Sequence, residues 1–229
     1  MTAAVIVFPG SNCDRDAAVA IERLTGEKAL MVWHRDTAIP PCDLIVIPGG
    51  FSYGDYLRCG AMAATSPIMA AVRARAEQGA PVLGLCNGFQ ILVECGLLPG
   101  ALLRNASMRY VCKDVFLRVE TTATPATVGA RRGDVLRVPI AHGDGNYFAD
   151  ERTLRVLEDE NRIVFRYCDR DGTVNARANP NGSVGNIAGI CSAERNVVGM
   201  MPHPERLFEP ALGGADGAVI LKSALGVAA

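Results

Sequence analysis

Pro81-Val82-Leu83-Gly84-Leu85-Cys86-Asn87-Gly88-Phe89-Gln90 decides the reading of this chain. Residues 81–85 form an apolar run of strand length, and a helical pattern runs on from 88 to 94. Cys86 stands at the junction, with Gly84 two residues before it and Gly88 two residues after. That is the form of a nucleophile elbow with cysteine in the serine position. Such a strand-to-helix turn is sharp enough to strain the nucleophile's own backbone, so the flanking positions must lack side chains. The turn lifts the sulfur to a sheet edge, where the helix N-terminus favours thiolate.

The same alternation extends outward through the first half. Residues 3–8 are apolar and stopped by Pro9-Gly10, like a strand buried on both faces. Ala17, Ala18, Ile21 and Leu24 have helical spacing over 14–24, and 29–33 and Leu44–Ile47 are further strands. Ser66-Pro67 predicts a helix start, with Ser66 as N-cap and Pro67 in the first turn, closed at Gly79. Strands alternating with helices across short links imply right-handed crossovers and a parallel sheet, hence an α/β fold. Ligands of such sheets bind beyond the carboxyl ends of the strands, where Pro9-Gly10, Gly49-Gly50 and Cys86 all lie.

In the second half, 115–119, 135–138 and 163–167 read as strands separated by turns, which predicts antiparallel additions to the sheet. Asp169-Arg170-Asp171-Gly172 predicts a hairpin turn. Residues 197–201 predict a last buried strand and 217–225 a closing helix. No linker or repeat interrupts the 229 residues, so residues 1–229 are read as one domain.

Composition excludes several classes. A net charge of −1 supplies no field for nucleic acid or an anionic membrane, and Arg131-Arg132 is a solvated pair. No apolar run reaches the roughly 20 residues that span a bilayer, and the N-terminal run is too short for a signal-peptide core. A cytosolic chain follows. None of the eight cysteines forms a C-x-x-C pair, so most read as reduced, buried small residues. The sequon matches at Asn105 and Asn181 carry no meaning without secretion.

A free thiol of pKa about 8.5 lacks roughly 2 kcal/mol for full ionisation at pH 7, and a helix end supplies up to about 1 kcal/mol. A base must supply the rest. Among three histidines, His34 reads as a strand-end surface residue. His142, in His142-Gly143-Asp144-Gly145, is a lesser candidate. His203, in Met201-Pro202-His203-Pro204-Glu205, is preferred. The two prolines predict an extended segment in which His203 and Glu205 share a face, base and orienter together. Gly49-Gly50 at a strand end and the N–H of Asn87 are candidate oxyanion donors. Gly49 to Gly54 has phosphate-loop spacing, but Asp55 stands where lysine is required. Neither a nucleotide site nor a metal site is read here.

These residues resemble the class I (triad) glutamine amidotransferases. The G-x-C-x-G-x-Q signature matches 84–90, and the P-H-P-E tail matches Pro202-His203-Pro204-Glu205. Within that class the chain is most similar to the small glutaminase subunits of phosphoribosylformylglycinamidine synthase. The blocks that carry this likeness are 5–14, 48–58, 140–147, 179–183 and 199–206. The resemblance implies a flavodoxin-like fold, with Cys86 as nucleophile, His203 as acid/base and Glu205 as its orienter. It implies Gly50 and Asn87 as the oxyanion hole, and Gly49, Phe51 and Gln90 as glutamine contacts. It implies no cofactor in this chain, ATP and magnesium on a large synthetase subunit, and a small bridging subunit as second partner. Two rival readings are a stand-alone γ-glutamyl cysteine hydrolase and a non-catalytic regulatory module on the same fold.

Overall fold

The computed structural model describes residues 1–227. Its centre is a nine-stranded mixed sheet in the order β2-β1-β3-β4-β11-β10-β9-β6-β7. The first half supplies β1 (Ala3–Val7), β2 (Leu30–Trp33), β3 (Leu44–Ile47) and β4 (Val82–Leu85), all parallel. The second half supplies β6 (Val111–Val119), β7 (Val135–His142), β9 (Ile163–Cys168), β10 (Ile187–Cys191) and β11 (Val197–Met200). Strand β11 lies parallel to β4, and every pairing beyond it is antiparallel. A separate two-stranded sheet, β5 (Ala101–Leu103) with β8 (Asn146–Phe148), lacked a readable pattern because each strand is three residues long.

Successive strand residues point to opposite faces, so the apolar runs of β1 and β3 feed two cores. Ala3, Val5, Leu44 and Val46 pack with helices α1 (Asp14–Thr25) and α6 (Asp216–Leu225) on one face. Ala4, Ile6, Ile45 and Ile47 pack with α3 (Ile68–Glu77) and α4 (Asn87–Glu94) on the other. Helix α1 ends at Gly26 in the left-handed conformation (φ 75°), the usual glycine stop. The remaining helices are α2 (Ala61–Ala64) and α5 (Glu151–Asp159), the latter capped by the Asp150 carboxylate, which accepts from the Thr153 N–H at 2.7 Å.

Three local expectations are corrected. Ser66 does not cap α3; Pro67 occupies the cap position, and the Ser66 hydroxyl pairs with the Tyr53 hydroxyl at 3.0 Å. The turn at 169–172 forms, with Gly172 N–H donating to Asp169 O, but no strand follows it and the hairpin is missing. His34 is buried, its Nδ1 2.7 Å from the Tyr53 hydroxyl, because the rings of Phe8, Trp33 and Tyr53 pack around it. The eight cysteines are all unbridged. Asn105 and Asn181 are fully buried, which rules out glycan attachment at either. Among the described residues no helix is long and apolar enough to cross a membrane.

Candidate active site

Strands β4 and β11 run side by side, with Gly84 opposite Gly199 and Leu85 opposite Met200. The Cys86 N–H donates to Met200 O at 2.7 Å, so the ladder continues one step past β4. The chain then turns into α4 with Cys86 at φ 50°, ψ −105°. That is the strained elbow predicted above, and its glycines have definite neighbours. A Cβ on Gly88 would lie 1.9 Å from Ile47 O, and one on Gly84 would lie 2.5 Å from Leu92 Cδ1. A cysteine held at positive φ costs of order 1–3 kcal/mol and persists because helix and sheet clamp both sides.

Because β11 ends next to β4, the segment after it emerges beside Cys86. His203 N–H donates to Pro139 O at 2.8 Å, tying this segment to β7. His203 and Glu205 are 1% and 2% exposed, and Nδ1 lies 2.6 Å from Glu205 Oε1. The route to this contact differs from the predicted one. Pro204–Arg206 is a single 3₁₀ turn, not an extended run, and the turn brings the carboxylate back to the ring. Burial alone would lower the His203 pKa. The Glu205 carboxylate and then the Cys86 sulfur outweigh burial and raise it to about 10. The other ring nitrogen, Nε2, is buried and has no hydrogen-bond partner. Cys86, 5% exposed, has its sulfur 3.8 Å from Ala141 O.

Gly50 (φ 141°) could carry no side chain, since a Cβ would lie 2.8 Å from Asn12 N and Gly10 O. Gly49 is equally confined, by the His203 ring 2.7 Å from its would-be Cβ. Asn87 is the first residue of α4, directly after Cys86, so its N–H is free of intrahelical bonding. Its side chain ties the parts together. Asn87 Oδ1 accepts from Ser52 N–H at 3.2 Å, Asn87 Nδ2 donates to Gln90 Oε1 at 2.8 Å, and Gln90 Nε2 donates to Asp144 O at 2.6 Å. Gln90 therefore braces the site through both ends of its amide, while Phe51 lies half-exposed at the mouth near Tyr110.

Cys86, Gly50, Phe51, Tyr110 and Ala141 line two adjoining cavities. The first, about 190 Å³, also reaches Asp55, Cys59, Gln90, Arg104 and the 142–144 loop. The second, about 30 Å³, reaches Cys13, His203 and Arg206. A larger cavity of about 540 Å³ lies between α1 and the edge strand β2 and contains none of these residues.

The whole chain, not the site alone, has relatives. Residues 1–213 match the CobB/CobQ-like glutamine amidotransferase domain. Phosphoribosylformylglycinamidine synthase subunit PurQ of Rhodospirillum rubrum is 61% identical over 97% of each chain. Its Gloeobacter violaceus counterpart is 56% identical over 97% of this chain and 96% of its own. A chain in the structure of PurLQS from Thermotoga maritima superimposes with a TM-score of 0.84 at 43% identity, covering 98% of this chain and 97% of that one. This chain belongs to the PurQ family of glutamine amidotransferases.

In this amidotransferase the lesser histidine candidate is occupied elsewhere. His142 is buried, with Nδ1 3.1 Å from Asn105 Oδ1 and Nε2 3.5 Å from Asn181 Nδ2. An acceptor on one side and a donor on the other fix the neutral Nδ1–H tautomer. Burial first, and then the charge of His203, lowers its pKa to about 4. Its two ring contacts tie the 142–145 loop to Asn105 and Asn181. Residue-level reading missed Cys13 and Arg206, although both fall in the blocks that carry the family likeness. Arg206 Nη2 donates to Cys13 Sγ at 3.0 Å while its Nε pairs with Asp16 at 3.0 Å. Burial pushes the Cys13 thiol up to about 12 despite Arg206. Ligand atoms of Cys13, His203 and Glu205 lie within 4.8 Å of one another. The His203–Glu205 bond and the Arg206 contact account for that proximity without a metal.

Proposed function

We propose that this chain is the glutaminase subunit of phosphoribosylformylglycinamidine synthase, acting as one domain over residues 1–229. It hydrolyses glutamine and hands ammonia to an ATP-dependent synthetase subunit that converts formylglycinamide ribonucleotide to formylglycinamidine ribonucleotide in purine synthesis. The observation that supports this best is the buried His203–Glu205 pair delivered beside the Cys86 elbow by adjacent parallel strands, in a chain similar to PurQ proteins over nearly its full length.

Cys86 thiolate adds to the amide carbon of glutamine, and the carbonyl electron pair moves onto oxygen. The N–H groups of Gly50 and Asn87 face that oxyanion; losing one such donor typically costs about 10²–10³ in rate. His203 gives its proton to the amide nitrogen, the C–N bond breaks, and ammonia leaves. A γ-glutamyl thioester remains on Cys86. His203, now neutral, takes a proton from water, and the hydroxide adds to the thioester carbon. The C–S bond breaks, sulfur leaves as thiolate, and glutamate departs. Glu205 keeps the ring oriented and stabilises its charged form throughout.

The partners are the large synthetase subunit, which carries ATP and magnesium, and a small bridging subunit, all in the cytoplasm. The elbow rim that would meet them carries Tyr56 and Leu57, 87% and 76% exposed. An idle glutaminase would waste glutamine, so the isolated chain has weak activity, and docking orders the 49–58 or 142–147 loops. Cys86→Ser tests the assignment in the reconstituted complex. Synthesis from glutamine should disappear while synthesis from added ammonium persists; continued use of glutamine by the variant refutes the role of Cys86.

A further inference from the structure

The Gly50 N–H can serve an oxyanion only while its loop keeps one shape, and that shape is strained. After Gly50 (φ 141°) the chain passes through Tyr53, Gly54 and Asp55 at φ 54°, 71° and 54°. Backbone bonds hold the first part of the loop. Phe51 N–H donates to Gly10 O at 2.9 Å, and Tyr53 N–H donates to Pro9 O at 2.7 Å. Beyond them the side-chain tether is the Tyr53 hydroxyl, 2.7 Å from His34 Nδ1 and 3.0 Å from Ser66 Oγ.

His34 is built as a fixed post for that tether. Its N–H donates to Val7 O at 2.9 Å, and its carbonyl accepts from Ile68 N–H at 3.2 Å, so β1 and the start of α3 both hold its backbone. The ring is clamped as well. Trp33 meets it edge-on at 4.5 Å between centroids, and Tyr53 meets it edge-on at 5.5 Å. The three side chains form one hydrogen-bonded chain that works in either direction. With Nδ1 bare, Ser66 donates to Tyr53 and Tyr53 donates to His34; with Nδ1 protonated, both bonds reverse. Tyr53 is held in both cases.

Resting on the glutaminase reading above, we propose that His34 is a positioning residue for the oxyanion hole: with Ser66 it grips Tyr53 and so fixes the loop that presents the Gly50 N–H. His34 lines neither cavity beside Cys86, so it acts through the loop and not on glutamine. The oxyanion forms only as the reaction proceeds. A loosened loop therefore costs turnover and spares ground-state binding.

The test uses the complete complex, with synthesis from glutamine and from added ammonium measured side by side. His34→Leu keeps bulk and removes both ring nitrogens. It should lower kcat for glutamine about tenfold, with KM nearly unchanged and the ammonium rate untouched. His34→Asn places amide atoms where Nδ1 stood and should recover most of that loss. His34→Gln reaches toward the Nε2 position and should not. In a Tyr53→Phe background His34→Leu should cost nothing more, because the bond is already gone. Urea midpoints establish that the compared variants are folded; if His34→Leu does not fold, His34→Asn against His34→Gln decides. Wild-type kcat in His34→Leu overturns the proposal, as do equal losses in His34→Asn and His34→Gln, or losses that add across the Tyr53→Phe pair. Each of those results leaves the glutaminase reading standing, because that reading is judged on glutamine use by the wild type in the same assay.

Discussion

His203 and His142 stand close in space and are held in opposite protonation states. His203 retains its proton up to about pH 10, against 6.5 for an ordinary histidine, because a carboxylate and a sulfur face it. Its contribution to stability is fully present below about pH 6.5 and is lost as pH rises toward 10. His142 is held neutral down to about pH 4, so its contribution is present above 6.5 and is lost as pH falls toward 4. Stability followed by urea midpoints should therefore decline on both sides. Glu205→Gln should flatten the alkaline slope and His142→Gln the acid one; slopes unchanged in the variants would separate these residues from the pH response. The roles of Gly84 and Gly88 were legible from sequence because steric exclusion needs only local geometry. The burial of His34 was not, since it depends on Tyr53 arriving from another part of the chain.

At the level of elements, the parallel half was readable because doubly buried strands leave unbroken apolar runs. The site's second wall was harder. The prolines of the P-H-P-E segment predict an extended run, yet Pro204–Arg206 closes into a 3₁₀ turn, and the base–orienter contact forms by another route. The loop that presents Gly50 depends on the Tyr53 hydroxyl, which bridges His34 Nδ1 at 2.7 Å and Ser66 Oγ at 3.0 Å. Tyr53→Phe removes both bonds while keeping the ring. It should cost about 1–3 kcal/mol in loop order and lower kcat for glutamine about tenfold or more, with the rate from ammonium unchanged. Wild-type kcat in that variant would mean that the loop is held by its backbone bonds alone.

For the whole molecule, the decisive fact is topological. Strand β11 enters between the parallel and antiparallel halves and lies beside β4. It thereby brings residue 203 to residue 86 across more than half the chain. The local pattern of 197–201 marks a strand but carries no information about its neighbour; only the sheet order places it beside β4. The most direct check is covalent labelling with a diazo-ketone analogue of glutamine, read by peptide mass spectrometry. One adduct should appear, on the peptide containing Cys86, and it should vanish in Cys86→Ser and slow strongly in His203→Ala. Labelling spread over other cysteines, or undiminished in Cys86→Ser, would contradict the account.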